Sequence, residues 1–331
     1  MRDRRRYLDF ELPLAEFDEQ IQKMRDLKIS EGVDLSAEIR RLEDKSKEIL
    51  QKLSQDLTSY QKVQLSRHPD RPNFSDYVNL VFDKFSELKG DRAFRDDGAI
   101  AGGLAELGGE TVMLIGHQKG KSTQENVERN FGMPRPEGYR KALRLMKLAE
   151  QWNLPIVTLV DTPGAYPGLD AEERGQSEAI ARNIIEMSGL KVPIVTVVIG
   201  EGGSGGALAI AVCDRLLMFE YAIYSVISPE GCAAITWKDG AFTAQAAEAL
   251  QLTAKKIFEF GIADELIKEP LGGAHREPAS AAFELKQSLL KHLTALKEKP
   301  SDLLLRARYQ KYRDLGPLAE AEKKWAGAQG A

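Results

Sequence analysis

Along the first 66 residues, apolar positions recur at three- and four-residue spacing in a densely charged background, the period of an amphipathic helix. Leu14, Phe17, Ile21 and Met24 form one stripe; Leu35, Ile39, Leu42, Ile49 and Leu53 form a second, which Ser46 interrupts. Ser30-Glu-Gly-Val-Asp34 separates them, with Asp34 placed to cap the second helix. The pattern predicts a helical hairpin with a narrow apolar seam, packed either on its own domain or on another subunit. His68-Pro-Asp-Arg-Pro72 punctuates the end of this region. A helix with Val78, Val81, Phe82 and Phe85 on one side is expected next. Ile100–Leu107 and Thr111–Ile115 then read as strands joined across Gly108-Gly109. A polar, basic stretch runs from Gly116 to Pro136, and a helix from Gly138 to Trp152. Leu154–Val160 reads as a strand leading into Asp161-Thr-Pro-Gly-Ala-Tyr-Pro-Gly168, and Ala171–Met187 as a helix. The β-branched run from Val192 to Gly200 is a buried parallel strand. Ala207–Val212 is a small-residue helix packed on all sides. Leu216–Phe219 and Tyr224–Ile227 are short strands, Ser228-Pro-Glu-Gly231 opens a further helix, and residues 278–313 are helical and basic. Strand, loop and helix repeated in this order predict an α/β fold with a mainly parallel sheet. The Ala- and Lys-rich stretch from Pro317 is expected to fray.

Composition narrows the function. A chain of 331 residues suits about two domains or one large α/β unit. Its net charge of −4 and pI of about 5.8 give no global electrostatic case for nucleic acid. Cys213 and Cys232 are too few for a disulfide framework or a four-cysteine zinc site, which points to a reducing cytoplasm. The basic start MRDRRRY is not followed by an apolar segment of the secretory type. The window Val192–Cys213 is apolar enough to imitate a membrane span, but its glycines and Glu201 argue against one.

Candidate chemistry concentrates at Gly200-Glu-Gly-Gly-Ser-Gly-Gly206, five glycines and a serine between a strand and a helix. Such a turn bares backbone N–H groups at a helix N-terminus, where negative charge is stabilised. The charge belongs either to a bound phosphate or to an oxyanion in a transition state. Gly200, Gly202 and Gly205 fit the dinucleotide fingerprint, with Glu220 about twenty residues on. Gly116-His-Gln-Lys-Gly-Lys-Ser122 and Asp161-Thr-Pro-Gly164 imitate a P-loop and a GTPase switch, although the first has three residues between its glycines where a P-loop has four. NAD or GTP binding is therefore the alternative reading, and a scaffold acting through its helical arm a third. Lys119 and Lys121 read as positive charge near a pocket or as a solvated loop. His117, Glu201 and Glu230 each stand where a general base could stand, yet none belongs to a recognisable catalytic set. The basic face of the 138–152 helix (Arg140, Lys141, Arg144, Lys147) reads either as a phosphate or partner surface or as a solvated face.

Longer phrases carry a resemblance. Arg67–Pro72, Ile115–Gly120, Arg129-Asn-Phe-Gly-Met133 with Pro136–Met146, Asp161–Gly168, Ala171–Asn183, Gly200–Ala207, Tyr224–Cys232 and Glu269-Pro-Leu-Gly-Gly-Ala-His-Arg276 recur in order in one family. The chain, from about Tyr7 to Leu315, resembles the carboxyltransferase alpha subunits of bacterial acetyl-coenzyme A carboxylase, members of the crotonase-like superfamily. The resemblance implies a crotonase/ClpP-like ββα superhelix over 67–295, an N-terminal helical hairpin for oligomer docking over 1–66, and a C-terminal helical extension and tail over 296–331. It implies transfer of a carboxyl group from carboxybiotin, borne by a biotin carboxyl carrier protein that a biotin carboxylase loads, to acetyl-CoA, giving malonyl-CoA. Activity would need a beta subunit, in an α2β2 assembly, and that subunit would carry the zinc; this chain would bind no metal and no covalent cofactor. Two oxyanions develop in the reaction. By resemblance this chain supplies the hole for the biotin oxyanion from backbone at Gly205, Gly206, Gly164 and Ala165, with Tyr166, Gly168, Ala207, Lys119 and Lys121 binding substrate. A Gly206→Val change is then expected to abolish turnover and leave the assembly intact.

Overall fold

A computed structural model describes residues 7–31 and 34–316. The basic start, Gly32 and Val33 of the interhelical run, and the stretch from Pro317 lie outside the described residues. A single turn at Asp9–Glu11 leads into α1 (Leu12–Glu31), which packs along α2 (Ser36–Gln55). Leu14, Ile21 and Ile39 are buried in this seam, and so is Ser46, so the polar break in the second stripe lies inside it. Asp34 stands before the first turn of α2 and accepts the Ser36 N–H at 3.1 Å, satisfying one of that helix's unpaired donors.

After α3 (Ser59–Ser66), α4 (Phe74–Val81) is shorter than the apolar spacing predicts. Phe82 turns into extended backbone and Asp83 donates to the Glu106 carbonyl, so Phe85 belongs to β1 (Lys84–Glu87). β2 (Ile100–Leu107) and β3 (Glu110–His117) form the expected hairpin, with both Gly108 and Gly109 at positive φ, as a two-residue turn requires. Inside the polar stretch lies α5 (Thr123–Glu128), which buries no residue and so left no apolar stripe to read. α6 (Pro136–Gln151) opens on proline at N1 and buries Tyr139, Ala142, Leu145, Met146 and Ala149 at helical spacing. β4 (Ile156–Thr162) is buried at every position. The helix expected over 171–187 is two helices, α7 (Leu169–Glu173) and α8 (Gln176–Gly189), parted by Gly175 at φ +81°. β5 (Ile194–Gly203) runs past its apolar core through three of the glycines, Gly200, Gly202 and Gly203. The helix that follows it, α9 (Ser204–Leu208), has only 5 residues, which leaves little macrodipole and makes local amides the relevant donors.

β6 (Arg215–Phe219), β7 (Ile223–Ser225), α10 (Pro229–Thr236), α11 (Thr243–Ala249), α12 (Ala254–Glu259) and β8 (Glu265–Ile267) follow, then α13 (Pro278–Lys297) and α14 (Ser301–Arg313), which break at Pro300. The strands make one sheet in the order β1-β2-β3-β4-β5-β6-β8, with β7 paired to the end of β5. β1 to β3 are antiparallel and the rest parallel. The result is an α/β fold with a mixed sheet and helices at both ends. At its centre the Thr158 and Thr196 hydroxyls satisfy each other at 2.7 Å, so these polar groups sit in the apolar core without an unmet hydrogen bond.

Candidate active site

β4 and β5 are parallel neighbours whose pairing continues, past an irregularity between Val160 and Thr162, to Thr162 opposite Gly202. Their two exits therefore leave the same edge of the sheet side by side. Glycine is what allows them to touch. A Cβ on Gly203 would overlap the Pro163 carbonyl, and one on Gly206 would sit 2.5 Å from the Gly164 carbonyl carbon and 2.6 Å from the Ala165 nitrogen. Gly164 itself has φ +154°, which side chains rarely adopt. Ser204, at φ +54°, turns the chain from β5 into α9.

The donors divide clearly. The Gly164 N–H is taken by Thr162 Oγ1 at 3.1 Å, and the Tyr166 N–H by the Pro134 carbonyl at 3.0 Å. The amides of Ala165, Gly205 and Gly206 donate to no other group among the described residues. Gly164 thus contributes its conformation and not the donor expected of it. Ala207 is fully buried, its methyl in the core, so it offers substrate no side-chain contact. Gly205 is half-buried, and a Cβ there would meet Ile180 no closer than 3.7 Å. On the same distances a valine at Gly206 would have to drive the two turns apart, a local displacement that the expectation of lost turnover in an intact assembly did not include.

Behind the turns lies an ionic web. Lys119 donates to Asp161 at 2.7 Å and to Glu201 at 3.0 Å. Glu201 also accepts from Arg67 at 2.5 Å, while Arg67 reaches Glu230 at 2.7 Å. Asp161 accepts the Glu201 N–H at 3.0 Å. Burial alone would raise the Glu201 carboxyl, but Lys119 and Arg67 hold it below its usual range. Lys119 stays charged with its pKa raised, because Asp161 and Glu201 outweigh its own burial. Its charge is therefore compensated inside the protein, so it is not the free cation expected beside a substrate pocket. Lys121 is exposed and pairs with Asp76. Tyr166 is half-buried under the Arg135 guanidinium, 4.4 Å from the ring centroid, and Gly168 leaves room for that ring.

None of the three candidate bases stands as one. Glu201 and Glu230 are held by cations. His117 is fully buried and its pKa is pushed down to about 3, chiefly by burial. The basic face of α6 is structural: Arg140 reaches Asp91, Lys141 reaches Asp96 at 2.6 Å, Arg144 binds the Leu88, Lys89 and Gly90 carbonyls, and Lys147 meets Glu186. The first three pin the 88–97 loop, and Lys147 ties α6 to α8. No nucleotide nest forms either. Gly202 lies in β5 under the Tyr224 ring, and Gly116 lies in β3 under Phe74. One group among the described residues is close enough to hold a metal: Glu11, His68 and His275. There the Asp70 N–H donates to His68 Nδ1 at 3.1 Å, which puts the ring proton on Nε2, the atom facing Glu11 at 3.7 Å. The two imidazoles stack at 3.9 Å, and His275 Nε2 lies 3.1 Å from Glu11. A ligand nitrogen needs its lone pair free and its other ring nitrogen protonated, so the group reads as a latch between the N-terminal arm and the body.

Sequence reasoning located the two turns but missed Thr162 and the ionic web. The web's members, Arg67, Lys119, Asp161, Glu201 and Glu230, come from five separate segments, so no local spacing could have joined them. Thr162, two residues before a glycine at a strand end, was the one readable signal.

Residues 7–316 match the family model described as acetyl co-enzyme A carboxylase carboxyltransferase-like. The acetyl-coenzyme A carboxylase carboxyl transferase subunit alpha of Hydrogenovibrio crunogenus is 57% identical over 310 residues, 94% of this chain and 97% of that protein. The protein of the same name from Methylococcus capsulatus is 55% identical over 315 residues, 95% and 98% of the two chains. Among solved structures, a Pseudomonas malonate decarboxylase hetero-tetramer in complex with coenzyme A aligns with TM-score 0.57 at 15% identity, over 71% of this chain and 91% of that one. The beta subunit of P. aeruginosa geranyl-CoA carboxylase aligns with TM-score 0.53 at 19% identity, over 72% and 45%. Transcarboxylase 12S with hydrolyzed methylmalonyl-coenzyme A aligns with TM-score 0.51 at 23% identity, over 64% of this chain and 42% of that one. These structural likenesses speak to the fold alone, which is that of the crotonase-like carboxyltransferases.

Proposed function

The chain belongs to the acetyl-coenzyme A carboxylase carboxyltransferase alpha-subunit family, and on that premise we propose how its glycine turns serve the reaction. It is a biotin-dependent carboxyltransferase subunit that acts with a beta subunit on acetyl-CoA, giving malonyl-CoA for fatty acid synthesis. Carboxybiotin, when bound, supplies an activated carboxyl group whose release leaves negative charge on the ureido oxygen. The Ala165, Gly205 and Gly206 amides are the donors for that oxygen. What carries this reading is the contact of Gly206 with the Gly164-Ala165 peptide, which gathers three uncommitted N–H groups at one place. The opening suits an oxygen: a Cβ on Gly164 would find nothing nearer than Ser204 Cβ at 4.0 Å.

Preorganisation is the physical point. Thr162 closes one turn, accepting the Gly164 N–H and donating to its carbonyl at 2.7 Å. Asp161 and Lys119 tie that turn to Glu201 at the base of the other. Donors fixed before charge develops need no reorganisation at the moment of reaction, and losing one such donor costs about two to three orders of magnitude in rate. Tyr166 on its Arg135 support forms the neighbouring wall. In this reading the carboxyl group arrives on a biotin carboxyl carrier protein loaded by a biotin carboxylase. The beta subunit brings the zinc and the thioester's own oxyanion hole in an α2β2 assembly in the cytoplasm. No helix among the described residues is long and apolar enough to cross a membrane. The test is purification of the chain alone and with a zinc-ribbon beta subunit. Malonyl-CoA-dependent carboxylation of biotin is expected only from the mixture. A folded, assembled mixture that fails to turn over would overturn the proposal, as would tight NAD or GTP binding by the isolated chain.

A further inference from the structure

We infer that His117 is the positioning residue of this amide pocket: its buried imidazole lies between the two strand-end turns and holds them in register. The inference rests on the reading of the pocket given above. His117 ends β3, the strand beside β4, and its side chain is completely buried. Nδ1 accepts the Asp161 N–H at 3.4 Å, at the mouth of the first turn. A nitrogen that accepts carries no proton, so the ring proton is on Nε2. That Nε2 is buried with no hydrogen-bond partner among the described residues. The Gly206 backbone stands beside the ring and favours its protonated nitrogen, as a carbonyl does. One ring thus meets Asp161 of the first turn and Gly206 of the second.

Glycine explains why such a clamp is needed. A strand-end stretch with five glycines has few side chains to restrain its backbone, yet a hole works only if its donors are aimed in advance. Gly206 has no Cβ to restrain it, and the Nε2–H beside its backbone restrains it from outside. A buried donor without a partner calls for an explanation, and a role toward the Gly206 backbone supplies one. The charged group that acts on the ring is Lys119, itself bound to Asp161 and Glu201. Burial and Lys119 both disfavour imidazolium, so the ring keeps one tautomer and takes no proton from the reaction.

The test uses the full chain assembled with its beta subunit, carrying His117→Phe or His117→Gln. Displacing a preorganised group by about 1 Å costs on the order of 100-fold. His117→Phe is therefore expected to lower kcat by about 10- to 100-fold with the KM for acetyl-CoA nearly unchanged. His117→Gln recovers part of the loss, because its amide can both accept from Asp161 and donate toward Gly206. In the wild type, nitrogen-15 spectra of the histidines should show one ring protonated only on Nε2 and not titrating between about pH 5 and 8, where a free imidazole with a pKa near 6.5 would titrate. Unchanged kcat in His117→Phe overturns the inference. So does a ring protonated on Nδ1, or a kcat limb near neutral pH that disappears in the variants. If His117→Phe does not assemble, the glutamine variant and the wild-type spectra decide. An inactive wild-type complex would count against the pocket reading itself, and not against the clamp.

Discussion

His117 shows how burial converts a titratable residue into a fixed one. Its folded-state pKa of about 3 lies below the ordinary imidazole value, so between about pH 6.5 and 3 the unfolded chain binds a proton that the folded chain refuses. The His117 contribution is therefore complete above about pH 6.5 and is lost on acidification, at up to about 1.4 kcal/mol per pH unit. Glu201, with its pKa lowered, stabilises above the ordinary carboxyl range and loses that contribution as pH falls through its folded value. Denaturant unfolding at pH 7.5, 6 and 5 should show stability falling across this range, and His117→Phe should flatten that fall. An equally steep fall in the variant would assign it to other groups. Lys119 carries the corresponding lesson about reading sequence. A lysine after a strand looks like a ligand for anions, but its partners lie 42 and 82 residues away, and only folding brings them in.

The two turns act as one element, and their glycines are not equivalent. Gly206 is closed by contact with the Gly164-Ala165 peptide, whereas Gly205 faces Ile180 at ordinary distance. Gly206→Ala is expected to displace the turns and reduce kcat by about two to three orders of magnitude, with a lowered melting temperature. Gly205→Ala should stay within about tenfold of wild type, since it keeps its N–H and meets no clash. Comparable losses from both would remove the distinction. Strand positions and the turns between them were legible because β4 and β5 are continuous apolar runs ended by glycine and proline. Helix extents were less so. Gly175 breaks what reads as one helix, and small apolar residues after Ser204 continue the hydrophobic pattern without continuing α9. α5 has no buried face, so nothing in the polar stretch marked it.

At the scale of the whole molecule, the first and last helical segments of the described residues are tied to the body through buried charge. Glu11 of the N-terminal arm meets the stacked pair His68 and His275. Arg308 of α14 binds both carboxylate oxygens of Asp214, at 2.9 and 2.8 Å, and the Met187, Leu190 and Val192 carbonyls. Asp214 in turn accepts the Ile194 N–H where β5 begins. The helical, basic pattern of residues 278–313 concealed this residue, because one buried arginine among exposed cations has no signature of its own. Arg308→Met would leave Asp214 buried and unpaired, and a loss of about 3–5 kcal/mol is expected in chemical denaturation; a change within about 0.5 kcal/mol, the range of a surface substitution, would show the pair to be dispensable. A donor set made of peptide nitrogens also escapes the usual search for catalytic residues. Side-chain truncation leaves every N–H in place, so an alanine scan across 161–168 and 200–207 would chart faults of packing while the machinery went unrecorded. Replacing a single peptide linkage by an ester, which deletes one N–H and little else, is the change that reaches it.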